Sequence, residues 1–397
     1  MSWPLVKLTE VAEVNPRCPK DIDEDQIVSF VAMASASEEG LLLGEEPKVL
    51  KNTKKGFTYF ERGDVLLAKI TPCFENGKSL RPYQIKNQVG FGSTEFHVVR
   101  ADLEKLDPTY LFYLLWNDAF RFLGTNAMAG AAGQKRVGTP FLKQLEIPLP
   151  PLDEQKRIAA ILDKADAIRQ KRKQAIELAD EFLRSVFLDM FGDVSGVGES
   201  TVEKLAEDRK GSMRTGPFGS QLLHSEFTES GVSVLGIDNA VKNRFEWGKE
   251  RFISQDKYSE LSRYTVLPGD VLITIMGTCG RCAVVPEDIP VAINTKHLCC
   301  ITLDKSKCLP EFLHSYFLYH PIARRYLEKN TKGAIMAGLN MGIVKAMPVP
   351  VFPLAMQNKY VEIAKKIESS RYNREEFETL GNRSFDSISQ KAFSGQL

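Results

Sequence analysis

At 397 residues the chain is longer than one hydrophobic core ordinarily holds, so two or more domains are expected. Its 52 Lys and Arg against 51 Asp and Glu leave a formal charge of +1, which excludes a global electrostatic pull toward nucleic acid and assigns any such contact to local patches. No basic, then apolar leader opens the chain and no stretch approaches the roughly 18 apolar residues of a membrane span; the sequence reads as cytoplasmic, with no membrane partner.

The first globular segment, residues 1–150, mixes short strands with turns. Ile27-Val-Ser-Phe-Val-Ala-Met, Val65-Leu-Leu-Ala-Lys-Ile and Glu95-Phe-His-Val-Val have strand composition, and residues 110–122 read as one helix. Between strands, the turn Lys69-Ile-Thr-Pro-Cys-Phe-Glu-Asn-Gly-Lys78 gathers Lys69, Thr71, Asn76 and Lys78. Such a loop can set lysines on phosphates and amides on base edges; the plainer reading is a solvated polar loop. In Gly130-Ala-Ala-Gly-Gln-Lys-Arg-Val-Gly138, glycines allow close backbone approach while Gln134, Lys135 and Arg136 add an amide and two cations.

Prolines 148, 150 and 151 forbid helix up to that point, and residues 153–191 then contain no Pro or Gly, with Asp153 a good N-cap. Residues 151–192 are therefore one long helix, a rod of roughly 58 Å. Steps of three and four select Ile158, Ile161, Ile168, Phe182 and Val186 as a coiled-coil seam, so the helix needs a partner helix.

A linker-like Asp193-Val-Ser-Gly-Val-Gly-Glu-Ser200 opens the second globular segment, residues 193–349. Lys210-Gly-Ser-Met-Arg-Thr-Gly-Pro-Phe-Gly-Ser-Gln221 packs cations, hydroxyls, glycines and an amide into one stretch, with Arg214, Thr215, Gly219, Ser220 and Gln221 as candidate contacts. Thr278 and Arg281 follow a strand, Lys296 precedes another, and Asn340 ends the glycine stretch that begins at Gly333. Five of the seven cysteines lie between Cys279 and Cys308. Cys279-Gly-Arg-Cys282 hints at zinc, but adjacent Cys299 and Cys300 on a strand point to opposite faces, so small fillers of a buried sheet are the better reading and no metal site is assigned.

The partner helix lies in the same chain. Adding 202 to a residue number carries Pro148-Leu-Pro-Pro-Leu onto Pro350-Val-Phe-Pro-Leu, Gln155 onto Gln357 and Phe191 onto Phe393; upstream, Gly63-Asp-Val-Leu-Leu meets Gly269-Asp-Val-Leu-Ile. Residues 350–397 thus repeat the central helix, with Ile363, Ile367, Phe377 and Ile388 on its seam, and the chain is a tandem duplication of globular part and long helix. The fold expected is α+β: two globular α/β domains joined and spaced by two long helices that form an antiparallel coiled coil.

The Pro-Leu-Pro-Pro-Leu-x-x-Gln entry to a long helix, the exit Phe187-Leu-Asp-Met-Phe-Gly-Asp193, the string Gly216-Pro-Phe-Gly-Ser220 and the terminus Gln390-Lys-Ala-Phe-Ser-Gly-Gln-Leu397 resemble the DNA specificity subunits of type I restriction-modification systems, over essentially the whole chain. The resemblance implies two target-recognition domains that read the halves of a split site on double-stranded DNA. It also implies two modification (methyltransferase) subunits docked on the helices, with S-adenosylmethionine bound there and no cofactor here, and a possible further restriction subunit, an ATP-dependent translocase and nuclease. The glycine stretch near Asn340 has lost the Gln-Lys-Arg of its first-half counterpart, so the two half-sites are expected to differ.

Catalytic motifs do not form. Pro72 stands where a phosphate loop ending in Gly77-Lys78-Ser79 needs glycine, and no Asn/Asp-Pro-Pro-aromatic string of an amino-methyltransferase occurs. The chain is thus read as a non-enzyme whose partners act on a flipped adenine. Two alternatives stand beside this: a coiled-coil scaffold that reads no DNA, and an orphan specificity protein of a methylation-only system.

Overall fold

The computed structural model describes residues 3–131, 133–331 and 338–397, without the side chains of 370–384. The chain forms two compact units, Met1–Lys173 with Glu376–Leu397, and Gln174–Glu375. The division falls inside both long helices, Leu152–Phe191 and Leu354–Ser394, so each unit holds one globular part, the start of one long helix and the end of the other.

In the first unit, strand Leu5–Lys7 pairs antiparallel with Glu146–Pro148 and ties the chain start to the foot of the long helix. One antiparallel sheet runs Ala12–Val14, Phe96–Ala101, Val65–Ala68, Ser79–Leu80. A second sheet runs Glu46–Val49, Ile27–Val31, Val89–Gly92, Thr58–Glu61, its middle pair parallel with Ser29 opposite Gly90. The single helix expected over 110–122 is two, Pro108–Trp116 and Asp118–Asn126. Asn117 breaks the run: its backbone is extended and its side chain accepts from Phe120 N at 2.9 Å, capping the second helix.

The second unit repeats these parts. Glu199–Thr201 pairs with Pro348–Pro350, an antiparallel sheet runs Met213–Thr215, Leu298–Ile301, Val271–Thr274, Cys282–Val284, and a mixed sheet again contains one parallel pair, Val232–Leu235 with Ala292–Asn294. Helices Pro310–Tyr319 and Pro321–Thr331 match the first unit's pair. The repeat extends to single atoms. Buried Gln155 donates to Lys105 O and Pro150 O and accepts from Asp107 N; buried Gln357 donates to Lys307 O and Phe352 O and accepts from Leu309 N. Each amide closes the helix entry by satisfying backbone groups that no helix or strand can reach.

Within each unit the long-helix segments run antiparallel. In the first, Arg157 donates to Leu397 O while Arg169, farther along, lies over Phe385; in the second, Phe187 and Phe191 meet Tyr360. The seam differs from the expected one. Ile168 and Phe182 are exposed, Ile161 and Val186 only half-buried, whereas Ile158, Leu162 and Asp166, then Leu183, Phe187 and Phe191, are buried. Steps of four at each end aim that face at the unit's own short helices as well as at the opposing long helix, so a strict heptad stripe drifts off it. On the last helix Ile363, Ile367 and Ile388 are half-buried beside fully buried Tyr360, Val361, Ala364 and Ala392, and the Phe377 side chain lies outside the described residues.

The cysteines are free. Cys299 and Cys282 pack in one core with Phe312 and Ile273, while Cys300 faces another with Leu272 and Ala283, as opposite strand faces require. Burial pushes the Cys299 and Cys308 thiols up to about 12, which makes them inert fillers.

Candidate nucleic-acid interface

The two loops singled out in the first half, some sixty residues apart in sequence, are stitched together. Thr71 N donates to Lys135 O at 3.0 Å, Val137 N to Lys69 O at 2.9 Å, and Ile70 bridges to Arg136. The root of this loop pair is anchored by two residues whose role the sequence did not disclose. Asn15, at φ 56°, donates to His97 Nδ1 and accepts from Val98 N. With Nδ1 accepting, the ring carries its hydrogen on Nε2 and donates to Val137 O at 2.8 Å. Burial pulls the His97 pKa down, against the hydrogen bond to Val137 O, so the ring is neutral.

Of the candidate contacts here, Gln134 and Lys135 are exposed and Lys69 and Lys78 half-buried. Three others are engaged with carboxylates. Thr71 donates to Glu75 at 2.7 Å, Asn76 to Glu38 at 3.0 Å, and Arg136 forks onto Glu95 at 2.9 to 3.2 Å. The Arg136 hydrogen bond holds the Glu95 carboxyl below the usual range. Arg136 therefore braces the loop and is available to a polyanion only by giving up Glu95. The Glu75 Oε2 atom is buried without a hydrogen-bond partner.

In the second unit four segments also converge. Gly216 N donates to Thr295 O, Ile275 N to His297 O at 2.9 Å and Leu339 N to Ile275 O at 2.8 Å. A Cβ on Gly216 would come within 1.9 Å of Asn294 O; only glycine lets these segments approach so closely. Thr278, Arg281, Gly219, Ser220 and Gln221 are exposed, and Thr215 and Lys296 half-buried. Gln221 spends its amide oxygen on Phe218 N and Tyr264 Oη.

Two candidates are structural. Arg214 is 8% exposed and its guanidinium is held by Asp270, Thr265 O at 3.0 Å and Thr302 Oγ1 at 2.9 Å; strand alternation turns it into the sheet rather than out to solvent. Asn340 caps helix Met341–Lys345, accepting from Ile343 N at 2.9 Å, a cap that Gly342 and the β-branched Ile343 and Val344 hide in the sequence. Residues 332–337, most of the second glycine stretch, lie outside the described residues. Among the described residues no group of three His, Cys, Asp or Glu side chains is placed to hold a metal, and no helix is long and apolar enough to cross a membrane.

The chain thus holds two copies of one α+β unit, each with basic and amide-bearing loops gathered at the end of its central strands and each built on a long helix. Residues 2–178 match the type I restriction modification DNA specificity domain. The chain is 35% identical over 211 residues to the type I restriction enzyme EcoAI specificity subunit of Escherichia coli, covering 52% of this chain and 35% of that one. The EcoEI specificity subunit of the same organism is 33% identical over 212 residues, covering 52% and 34%. The match thus spans about a third of the length of these relatives. Among solved structures, the S subunit of a type I restriction-modification system from M. genitalium aligns over 99% of this chain and 96% of its own with a TM-score of 0.57 at 14% identity. A chain from a study of type I restriction-modification assembly and conformational transition aligns over 100% and 98% with a TM-score of 0.55 at 19% identity. These two carry the fold.

Proposed function

We propose that this chain is a non-catalytic DNA-specificity subunit, each globular part reading one half of a bipartite, asymmetric duplex sequence. The observation that carries this reading is the double convergence of loops. In each unit, segments far apart in sequence meet at the end of the central strands and bring exposed or half-buried cations, amides and hydroxyls together: Lys69, Lys78, Gln134 and Lys135 in the first, Ser220, Thr278, Arg281 and Lys296 in the second. Lysines on phosphates would set register, and amides and Arg281 would read base edges. The unlike side chains of the two sets support an asymmetric target.

The long helices act as the spacer and dock two modification subunits, which bind S-adenosylmethionine and methylate a flipped adenine; a restriction subunit joins where the system cleaves. A 40-residue helix is a rod of roughly 60 Å, which limits the half-site separation to under about two turns of DNA.

Mapping methylated adenine across the source genome, with the gene intact and deleted, tests this. A split, asymmetric motif should vanish on deletion. Inserting or removing helical turns within residues 153–191 should change the spacer and leave both half-sites intact; a motif with unaltered spacing would sink the ruler. A scaffold that reads no DNA would show no salt-dependent duplex binding when reconstituted with its methyltransferase.

A further inference from the structure

The duplication permits a comparison of the same place in the two units. In the first, the space between the long helices and the globular part is filled. Trp116 packs edge-on to Phe385 at 5.8 Å, Tyr113 lies 6.1 Å from Phe385, and Arg169 covers both Trp116 and Phe385. Arg81 reaches across to Asp166, donates to Tyr113 Oη at 3.0 Å, and stacks over Phe112. The plug is thus three aromatic rings wired by an arginine–carboxylate pair.

At the 202-residue offset, Trp116 becomes Leu318, Phe385 becomes Leu183, and Tyr113 becomes Ser315. Those three rings are gone, and the aromatic residues around the space are Phe245, Phe317, Tyr319 and Tyr360. In their place the second unit has an open cleft of about 1090 Å³, with Leu183, Ser315, Leu318, Tyr360 and Ala364 in its wall. Its lining also carries Arg184, Arg281 and Arg325, all exposed and all without an ion pair among the described residues. Of the carboxylates there, Glu311 is taken by Lys365 and Glu328 faces Arg324, while Asp180 and Glu368 have partners of their own.

The cleft therefore combines a partly apolar wall, altered by the loss of these rings, with three guanidinium groups that have no ion pair among the described residues. Arginine recognises carboxylates by forked hydrogen bonds, and an aromatic ring seated in a desolvated pocket is the commonest anchor of a protein interface. We propose that this cleft in the second unit seats an aromatic side chain from an acidic segment of a partner protein, which supplies in trans the ring that the first unit supplies in cis. The cleft shares Arg281 with the converging loops, so its test rests on Leu183, Leu318, Arg184 and Arg325, which the half-site reading does not use.

The test uses the purified full-length chain and a fluorescein-labelled peptide panel, each member carrying a central Trp or Phe flanked by Asp and Glu, with binding read by anisotropy. Peptides with the aromatic residue should bind at least tenfold more tightly than the same peptides with alanine there. Leu183→Phe combined with Leu318→Trp, which restores two of the first unit's three rings, should abolish binding, as should Arg184→Glu combined with Arg325→Glu. If the refilled variant melts early, the surface charge reversal and the peptide alanine control decide. The proposal is overturned if no member of the panel binds, if aromatic and alanine peptides bind alike, or if charge reversal leaves binding unchanged. Peptide binding that depends on charge alone and is displaced by duplex DNA would also overturn it, in favour of a nucleic-acid track. Duplex binding measured on the same preparations reports the loops separately.

Discussion

Arg214→Ala separates a structural arginine from a DNA-reading one. Its guanidinium is held by the Asp270 carboxylate, itself 1% exposed and also accepting from Thr302 Oγ1 at 2.6 Å and Leu267 N at 2.8 Å. Truncation leaves a buried carboxylate that has lost its countercharge and Thr265 O without its donor. Breaking such a pair from one side costs about 3–5 kcal/mol. At roughly 2–4 °C per kcal/mol for a unit of this size, the second unit's melting transition should fall by roughly 6–20 °C. Calorimetry reads this directly, and duplex binding of the reconstituted complex, measured well below the transition, should keep its salt dependence. Arg281→Ala is the control: exposed and without an ion pair among the described residues, it should leave melting within about 0.5 kcal/mol while relaxing specificity at one position of the half-site by about 1–3 kcal/mol. An Arg214→Ala chain that melts like the parent but loses salt-dependent affinity would refute this account.

Lys135→Ala should weaken binding to all duplexes about equally and leave the methylated motif unchanged, as fits a phosphate contact, checked by a salt titration. Gly216→Ala should force the Thr215–Gly216 backbone away from Asn294 O, costing about 1–3 kcal/mol and impairing reading of one half-site only, visible in the methylation motif. Gln357→Leu strands Lys307 O, Phe352 O and Leu309 N; at about 1–3 kcal/mol for each buried unpaired group, it should destabilise the second unit and spare the first, resolved by site-specific hydrogen exchange. His97 is depressed below its ordinary value of 6.5. Its folded form binds fewer protons than the unfolded chain, so its contribution is fully present above pH 6.5 and is lost as pH falls through the lower folded value. His97→Gln should flatten that part of the melting-temperature profile below pH 6.5.

The duplication, the two long helices and the helix entries were legible in the sequence because they rest on local chemistry. Prolines stop a helix, uninterrupted helix-forming residues extend it, and a repeated Pro-x-x-Pro-Leu-x-x-Gln string records a repeated junction, whose glutamines the fold places in matching hydrogen-bond networks. Strand residues such as Ile27–Val31 and Leu298–Ile301 were equally plain from β-branched and small apolar composition. Which face of a helix is buried was not plain. Ile168 and Phe182 look like seam residues and are exposed, because burial is set by the globular part packed beside each helix end as well as by the opposing helix. Nor could composition tell Arg214 from Arg281, two arginines in glycine-rich stretches. One meets Asp270 across a sheet and becomes internal; the other has no carboxylate partner among the described residues and stays in solvent. The pairing of Lys69–Ile70–Thr71 with Lys135–Arg136–Val137, the anchoring of that pair by Asn15 and His97, and the cleft left where three rings are missing depend on contacts between residues tens to hundreds of positions apart. Local propensity carries no record of such contacts, so only the tertiary structure decided them.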